Sequence, residues 1–218
     1  EAAGFLFPLD LGARGSCTIG GNLATNAGGN RVIRYGMARD QVLDLEVVLA
    51  DGQTVGGRHR MIKNNTGYDL RHLFIGSEGT LGVITRAVLR LRPRPTTVCT
   101  AFCGLPSFAA VIEFLHLAQA ELPSGVSAFE VMWPGYYDFV LDRLPELRPP
   151  LQQRHAYYVL LESTGAGPGQ DEAFEQFLGG CLERGVLQDA ALASSHTDAQ
   201  AFWAIRDAPG EYQRLLPG

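Results

Sequence analysis

The stretch that most restricts the fold is Gly15 to Gly36, GSCTIGGNLATNAGGNRVIRYG. Six glycines lie in it, at positions 15, 20, 21, 28, 29 and 36, interleaved with Ser16, Thr18, Asn22, Thr25 and Asn26. Glycine gives up more backbone entropy on ordering than any other residue, so such a density needs a return. That return comes where bare backbone approaches a neighbour closely, or takes a conformation in which a Cβ would clash. The small hydroxyl and amide side chains in between offer hydrogen bonds without bulk. Backbone N–H groups of such a turn leading into a short helix form an anion-binding concavity. Ile19, Leu23, Ala24 and Ala27 add an apolar side that lets the segment pack. The stretch reads as a ligand cradle rather than a free loop.

Composition removes several alternatives. The chain has 218 residues, 46% hydrophobic and 19% charged, with a formal net charge of −5. That length carries one large domain or two modest ones with a true core. The net negative charge speaks against nucleic acid as a partner. The basic run from Arg86 to Arg94 alternates with apolar residues and fits the outer face of a strand. No apolar run approaches the ~20 residues of a membrane span. Cys17, Cys99, Cys103 and Cys181 are scattered, and no second pair completes a zinc set, so they read as reduced thiols. His59, His72, His116, His155 and His196 stand in no HxH or HxxxH relation, and no metal site is expected from them.

In chain order, Phe5 to Leu11 reads as extended. Val42 to Val55 reads as a hairpin turning at Asp51–Gly52. Asp69 to Leu73 forms one helical turn. Val83 to Arg92 forms a long strand with Val83, Thr85, Ala87, Leu89 and Leu91 on one face. Pro93 and Pro95 mark a boundary. Beyond it, strands are expected over Thr97–Cys103, Val126–Met132, Ala156–Glu162 and Val186–Leu192. Helices are expected over Ser107–Glu121, with Phe108, Val111, Ile112, Leu115 and Ala118 inward, over Tyr136–Leu144, from a cap at Asp171, and over Thr197–Asp207. The class is α+β, with helices on one face of a mainly antiparallel sheet. The glycines of STGAGPGQD, Gly165, Gly167 and Gly169, spell a weak dinucleotide-loop pattern. Asp171 and Glu172 stand where a phosphate would sit, so a plain loop is the better reading.

FPLDLGARGSCTIGGNLATNAGGNRVIRYG, followed by KNNTGYDLRHLFIGSEGTLGVITRAVLRLRP, resembles the FAD-binding domain of the vanillyl-alcohol-oxidase-type flavoproteins. Within them it is most similar to the group of D-2-hydroxyglutarate dehydrogenase, FAD-linked D-lactate dehydrogenase and the glycolate oxidase D subunit. The resemblance implies the second half of a vanillyl-alcohol-oxidase/PCMH-type FAD-binding domain over residues 1–95, and a ferredoxin-like cap over the substrate at 96–218. It places non-covalent FAD along Ser16, Gly20, Gly21, Ala24, Thr25, Asn26, Gly28, Gly29, Tyr35 and Gly36. It places the adenosine and pyrophosphate end against Glu78, Gly79, Gly82, Val83 and Ile84. FWAIRD, residues 202–207, resembles the segment whose arginine, here Arg206, holds the substrate carboxylate; a planar fork suits that task.

The resemblance also implies parts on either side of this chain: a pyrophosphate loop before it, and a catalytic histidine, a glutamate and a divalent-metal cluster after it. No catalytic residue is therefore expected within the chain, which on its own is expected to be inactive. The implied reaction is oxidation of a D-2-hydroxy acid, with electrons passed to an acceptor protein or quinone, in the cytoplasm or mitochondrial matrix. D-lactate or glycolate as substrate, or a non-catalytic nucleotide-binding module, are the alternatives.

Overall fold

The structure is a computed structural model that describes residues 3–57 and 59–208. The chain divides into two compact units, Glu1–Arg94 and Pro95–Gly218.

In the first unit the elements are β1 (Phe5–Leu6), α1 (Ile19–Ala24), α2 (Val32–Tyr35), a 3₁₀ turn (Ala38–Gln41), β2 (Val42–Val48), β3 (Thr54–Gly56), α3 (Arg71–Phe74), β4 (Val83–Leu89) and β5 (Arg92–Pro93). β2 is the centre of a three-stranded antiparallel sheet in the order β3-β2-β4, and β1 pairs with β5. The β2–β3 hairpin turns at Asp51–Gly52, where the Gly52 N–H donates to Leu49 O and the Leu49 N–H to Gln53 O. Leu45 and Val47 point into a small core with Leu23, Ala38, Val42 and Ile75.

β4 departs from the simple alternation. Glu46 pairs with Arg86 but Val47 pairs with Ile84, so Thr85 is an extra residue in the ladder. A bulge of this kind turns the preceding side chains over. Ile84, Ala87 and Leu89 therefore pack on the core, while Val83, expected inside, is 63% exposed. Leu91 is also exposed, beyond the end of the strand.

The second unit contains β6 (Thr97–Leu105), α4 (Phe108–Glu121), β7 (Ala128–Met132), α5 (Pro134–Arg143), β8 (Tyr157–Gly165), α6 (Gln170–Glu183), β9 (Asp189–Leu192) and α7 (His196–Asp207). Its four strands form an antiparallel sheet in the order β7-β8-β6-β9. This is the ferredoxin-like order, with α5 added between the second and third strands and α7 after the fourth.

Helices cover both faces, not one. On one face α4 (Val111, Phe114, Ala118) and α6 (Phe174, Phe177, Leu178) pack on Ala101, Cys103, Val159 and Leu161. On the other, α5 (Tyr137, Val140) and α7 (Phe202, Ile205) pack on Phe102, Met132, Tyr158 and Leu160. With both faces covered, Tyr158 to Leu161 forms a run without alternation, all fully buried. Helical spacing identifies an apolar stripe but not the side of the sheet it lands on.

The stripe of α4 itself is shifted from the expected one. Ala110, Val111, Phe114 and Ala118 are buried, whereas Phe108 and Ile112 are exposed. Ser107 caps this helix through its Oγ, which accepts from the Ala110 N–H at 3.1 Å. Asp171 does not cap α6. The cap position is Gly169, and the Asp171 carboxylate accepts from the Cys99 thiol at 3.1 Å. Burial, together with that hydrogen bond and the Asp171 and Glu162 charges, pushes the Cys99 pKa up to about 12.

Candidate functional site

The two glycine-bearing motifs meet in the first unit. α1 starts at Thr18, whose Oγ1 accepts from the Gly21 N–H at 3.1 Å. Its far end is stitched to the second motif by two backbone bonds: Gly76 N–H to Leu23 O at 3.1 Å and Glu78 N–H to Ala24 O at 2.9 Å. Arg39 completes the junction. Its backbone N–H donates to Asn26 Oδ1 at 3.0 Å, and its guanidinium donates to His72 O at 2.8 Å and Ile75 O at 2.6 Å. Gly20, Gly21, Ala24, Thr25 and Asn26 are thereby brought beside Glu78, Gly79, Gly82, Val83 and Ile84. Arg39 carried no sequence signal; an arginine tying loop carbonyls together has no motif of its own.

The structure sorts the cradle glycines by what surrounds them. At Gly29 (φ +124°) a Cβ would collide with the Asp10 carbonyl, so glycine is required by the fold itself. At Gly36 it would collide with the Asp40 carboxylate, which accepts from the Met37 N–H at 2.8 Å. At Gly82 it would come within 2.6 Å of Val47 Cγ1, and at Gly28 within 3.3 Å of Val32 Cγ2. These four support chain packing. Gly79 takes a backbone conformation that favours glycine (φ +79°), whereas Gly15 has nothing within 4 Å of an added Cβ and Gly20 only the Ile84 carbonyl oxygen at 3.9 Å. Gly20 lies inside α1, where glycine costs ~1 kcal/mol relative to alanine, and no neighbour among the described residues explains it. Ile19, beside Gly20, and Leu81 and Val83, on either side of Gly82, are exposed.

The polar members are mostly satisfied locally. Ser16 Oγ donates to Ala13 O at 3.3 Å and Thr25 Oγ1 to Gly21 O at 3.0 Å. Asn26 takes a left-handed backbone (φ +49°), as does Glu78 (φ +52°). The Tyr35 carbonyl accepts from Gln41 Nε2, and its ring lies 5.4 Å from the Arg34 guanidinium. With six residues and one first-turn N–H taken by Thr18, α1 offers less of an anion site than its sequence promised. The surface is better described as an open floor of bare backbone flanked by apolar side chains. Such a floor fits a flat aromatic ring laid against it, and in this respect the residues present fit FAD.

A cavity of about 560 Å³ also lies in the first unit, lined by Leu45, Val47, Val55, Met61, Ile62 and Tyr68 among others. None of the candidate residues lines it. Among the described residues no group of three or more His, Cys, Asp or Glu is placed to hold a metal ion, and no helix is long and apolar enough to cross a membrane.

In the second unit Arg206 lies in the last turn of α7. Its Nε donates to Glu130 Oε2 at 2.9 Å, its Nη2 lies 2.8 Å from the same oxygen, and its Nη1 donates to Asp207 Oδ1 at 3.1 Å. Burial works against its charge, but the Glu130 and Asp207 carboxylates outweigh that and raise its pKa. Three residues earlier, Trp203 Nε1 donates to the buried Glu162 carboxylate at 3.2 Å. The Pro209–Gly210 stop expected after this helix lies outside the described residues. In the STGAGPGQD loop, Gly165 is required by Ser124, with which a Cβ would collide.

Comparison with known proteins gives this geometry a family. The family described as "FAD binding domain" matches residues 1–57, and that described as "FAD linked oxidases, C-terminal domain" matches residues 94–214. The mitochondrial D-2-hydroxyglutarate dehydrogenase of Bos taurus is 49% identical over 208 residues, covering 95% of this chain and 38% of that protein. Its Arabidopsis thaliana counterpart is 42% identical, with 95% and 37% covered. The chain thus spans under two-fifths of the length of these relatives. A solved alkyldihydroxyacetonephosphate synthase shares the fold, with a TM-score of 0.68 at 21% identity, over 98% of this chain and 40% of that one. The match across residues 94–214, more than half of the sequence, places the chain in the family of FAD-linked oxidases.

Proposed function

We propose that this chain is part of an FAD-dependent dehydrogenase that oxidises a D-2-hydroxy acid to the 2-oxo acid, with D-2-hydroxyglutarate as the substrate. Residues 1–95 supply part of the FAD-binding domain and residues 96–218 most of the cap over the substrate. The observation that carries this reading is the floor around Gly20, where a helical glycine is kept open although nothing among the described residues needs the space. Relatives called D-2-hydroxyglutarate dehydrogenase, at 49% and 42% identity, favour the substrate. D-lactate is the second reading, favoured by a Schizosaccharomyces pombe relative, 38% identical, whose provisional name is D-lactate dehydrogenase.

Bound FAD supplies the two-electron acceptor for the C2–H of the hydroxy acid. This chain's residues bind and orient. Gly20, Gly21, Ala24, Thr25 and Asn26, with Ser16, Gly28, Gly29, Tyr35 and Gly36, form or support the wall along the cofactor. Glu78, Gly79, Gly82, Val83 and Ile84 form the wall at its adenosine end. Arg206 receives the substrate carboxylate, exchanging one of its present carboxylate partners for it. The catalytic base and a divalent metal are assigned to residues outside this chain. The electrons pass on to an acceptor protein or quinone, and the relatives' mitochondrial names favour a mitochondrial location over the cytoplasm.

The test is reduction of the flavin in the whole protein. Bleaching of the flavin absorbance under anaerobic conditions is expected on adding D-2-hydroxyglutarate, and much more slowly with D-lactate. A flavin that D-lactate bleaches faster would move the substrate to the second reading. A whole protein that purifies without flavin and gains none on incubation would overturn the reading.

A further inference from the structure

Arg206 is held from three directions. Glu130, near the middle of β7 and paired in register with Leu160 of β8, takes its Nε and Nη2 on one oxygen. Asp207 contacts Nη1. Tyr136, from α5, donates its hydroxyl to the carbonyls of Ile205 and Arg206 at 2.7 and 3.0 Å, clamping the end of α7. One helical turn back, the Trp203–Glu162 bond fixes α7 to the same sheet. The guanidinium is therefore fixed in plane and direction by a strand, not left to swing on a flexible side chain.

The Arg206–Glu130 pair is 31% and 22% exposed in its two side chains. Ion pairs with that much solvent contribute little to folding. What the pair does well is to occupy one edge of the planar fork, Nε with Nη2, and leave the Nη1/Nη2 edge for a second carboxylate to meet edge-on. Asp207 now contacts Nη1, and it is the contact an incoming carboxylate would replace.

We infer that Glu130 is the positioning residue for carboxylate recognition: it holds the Nε/Nη2 edge of Arg206 so that the Nη1/Nη2 edge is presented to the substrate. This rests on the reading of Arg206 as the carboxylate anchor, and the experiment separates the two. In the flavin-loaded whole protein, Glu130→Gln is expected to raise KM for D-2-hydroxyglutarate about tenfold with kcat within about twofold, the pattern of lost uniform binding. The dissociation constant of 2-oxoglutarate, titrated by its perturbation of the flavin spectrum, is expected to rise by the same factor. Glu130→Asp, whose shorter arm falls short of the fork, is expected to behave alike and guards against a fold-specific failure of one variant. In an Arg206→Ala background, Glu130→Gln is expected to change that constant by less than about twofold, because the group it positions is gone.

An equal tenfold effect in both backgrounds would show a purely structural role and overturn the inference. So would a Glu130→Gln enzyme that binds normally while Arg206→Ala does not, which leaves Arg206 as the anchor. An Arg206→Ala enzyme that binds 2-oxoglutarate normally would remove the anchor assignment and the inference with it.

Discussion

The two units solve burial differently. The first rests, among the described residues, on six buried apolar side chains, none aromatic, around β2 and α1. The second encloses Phe102, Phe114, Tyr137, Tyr158, Phe174, Phe177 and Phe202 in two clusters, one on each face of its sheet. Exposure runs the other way. Among the described residues, Tyr68 is 97% exposed, Ile62 75% and Val83 63% in the first unit, while the most exposed large apolar side chain of the second is Trp133 at 57%. One unit finishes its core from its own sequence; the other leaves apolar surface for something to cover. The proposed function gives that surface to the flavin and to the rest of the enzyme. The glycines tell the same story at finer grain, since some are needed by the fold and Gly20 is not.

The largest expected effect would fall on the self-sufficient unit. Phe114, fully buried and stacked on Phe177 with ring centroids 5.7 Å apart, should cost ~3–5 kcal/mol on substitution by alanine. Calorimetry of the 218-residue chain is expected to show two transitions, with Phe114→Ala lowering only the one that belongs to residues 95–208. A single transition moved as a whole would erase the distinction between the units.

Gly29→Val should come next, and should act on the other transition. The valine Cβ would meet the Asp10 carbonyl at a φ of +124°, so the first unit is expected to lose ~2 kcal/mol or more whether or not flavin is present. Loss of flavin with an unchanged melting profile would show that Gly29 faces the cofactor and not Asp10.

Thiol labelling sharpens the comparison chemically. Cys17, in the first unit, is exposed, whereas Cys99, Cys103 and Cys181 are buried in the second. Burial pushes the thiol pKa of Cys99 up to about 12 and raises those of Cys103 and Cys181 as well. Treatment with iodoacetamide near pH ~8, where an ordinary thiol is partly ionised, should therefore alkylate Cys17 alone. Rapid alkylation of Cys103 would mean that the second core opens readily.

The smallest effect is in the pH dependence of the second unit. Hydrogen bonds from Arg184, at 2.8 and 3.0 Å, hold the exposed Glu121 carboxyl below its ordinary pKa. Its folded pKa is below its unfolded one, so its stabilisation is full above the ordinary carboxylate pKa and disappears as pH falls through the folded value. Melting of wild type and Glu121→Gln should differ slightly near pH ~6, above the ordinary carboxylate range, and converge as the pH falls through the folded value. A difference that grows in acid would reverse the assigned sign.

Much of this architecture was legible beforehand. The Asp51–Gly52 hairpin, the Ser107 start of α4 and the division near Pro93 and Pro95 follow from local chemistry, because turns, caps and prolines act within a few residues. Three things did not follow. The Thr85 bulge is a property of pairing with β2, and no single-strand pattern contains it. The second helical layer depends on which side of the sheet α5 and α7 land. The pairing of Arg206 with Glu130 joins residues 76 positions apart. For the candidate site, the glycine stretch and GSEGT were found as segments, and their junction through Arg39 was not. Nor did the sequence separate Gly29, which the fold needs, from Gly20, which it does not.

Gly20 provides the most direct test, with Gly179 of the second unit as its control. Both lie within helices and neither has a close neighbour where a Cβ would stand. Removing a helical glycine should stabilise either unit by up to ~1 kcal/mol. The decisive measurement is flavin affinity and melting of the whole protein carrying Gly20→Leu or Gly179→Ala. Gly179→Ala is predicted to raise its own transition and keep flavin binding unchanged. Gly20→Leu is predicted to raise the apo stability of the first unit while weakening FAD at least about a hundredfold, ~2.7 kcal/mol, because the side chain fills the floor on which the ring lies. Gly20→Leu that binds FAD as tightly as the wild type would contradict the account.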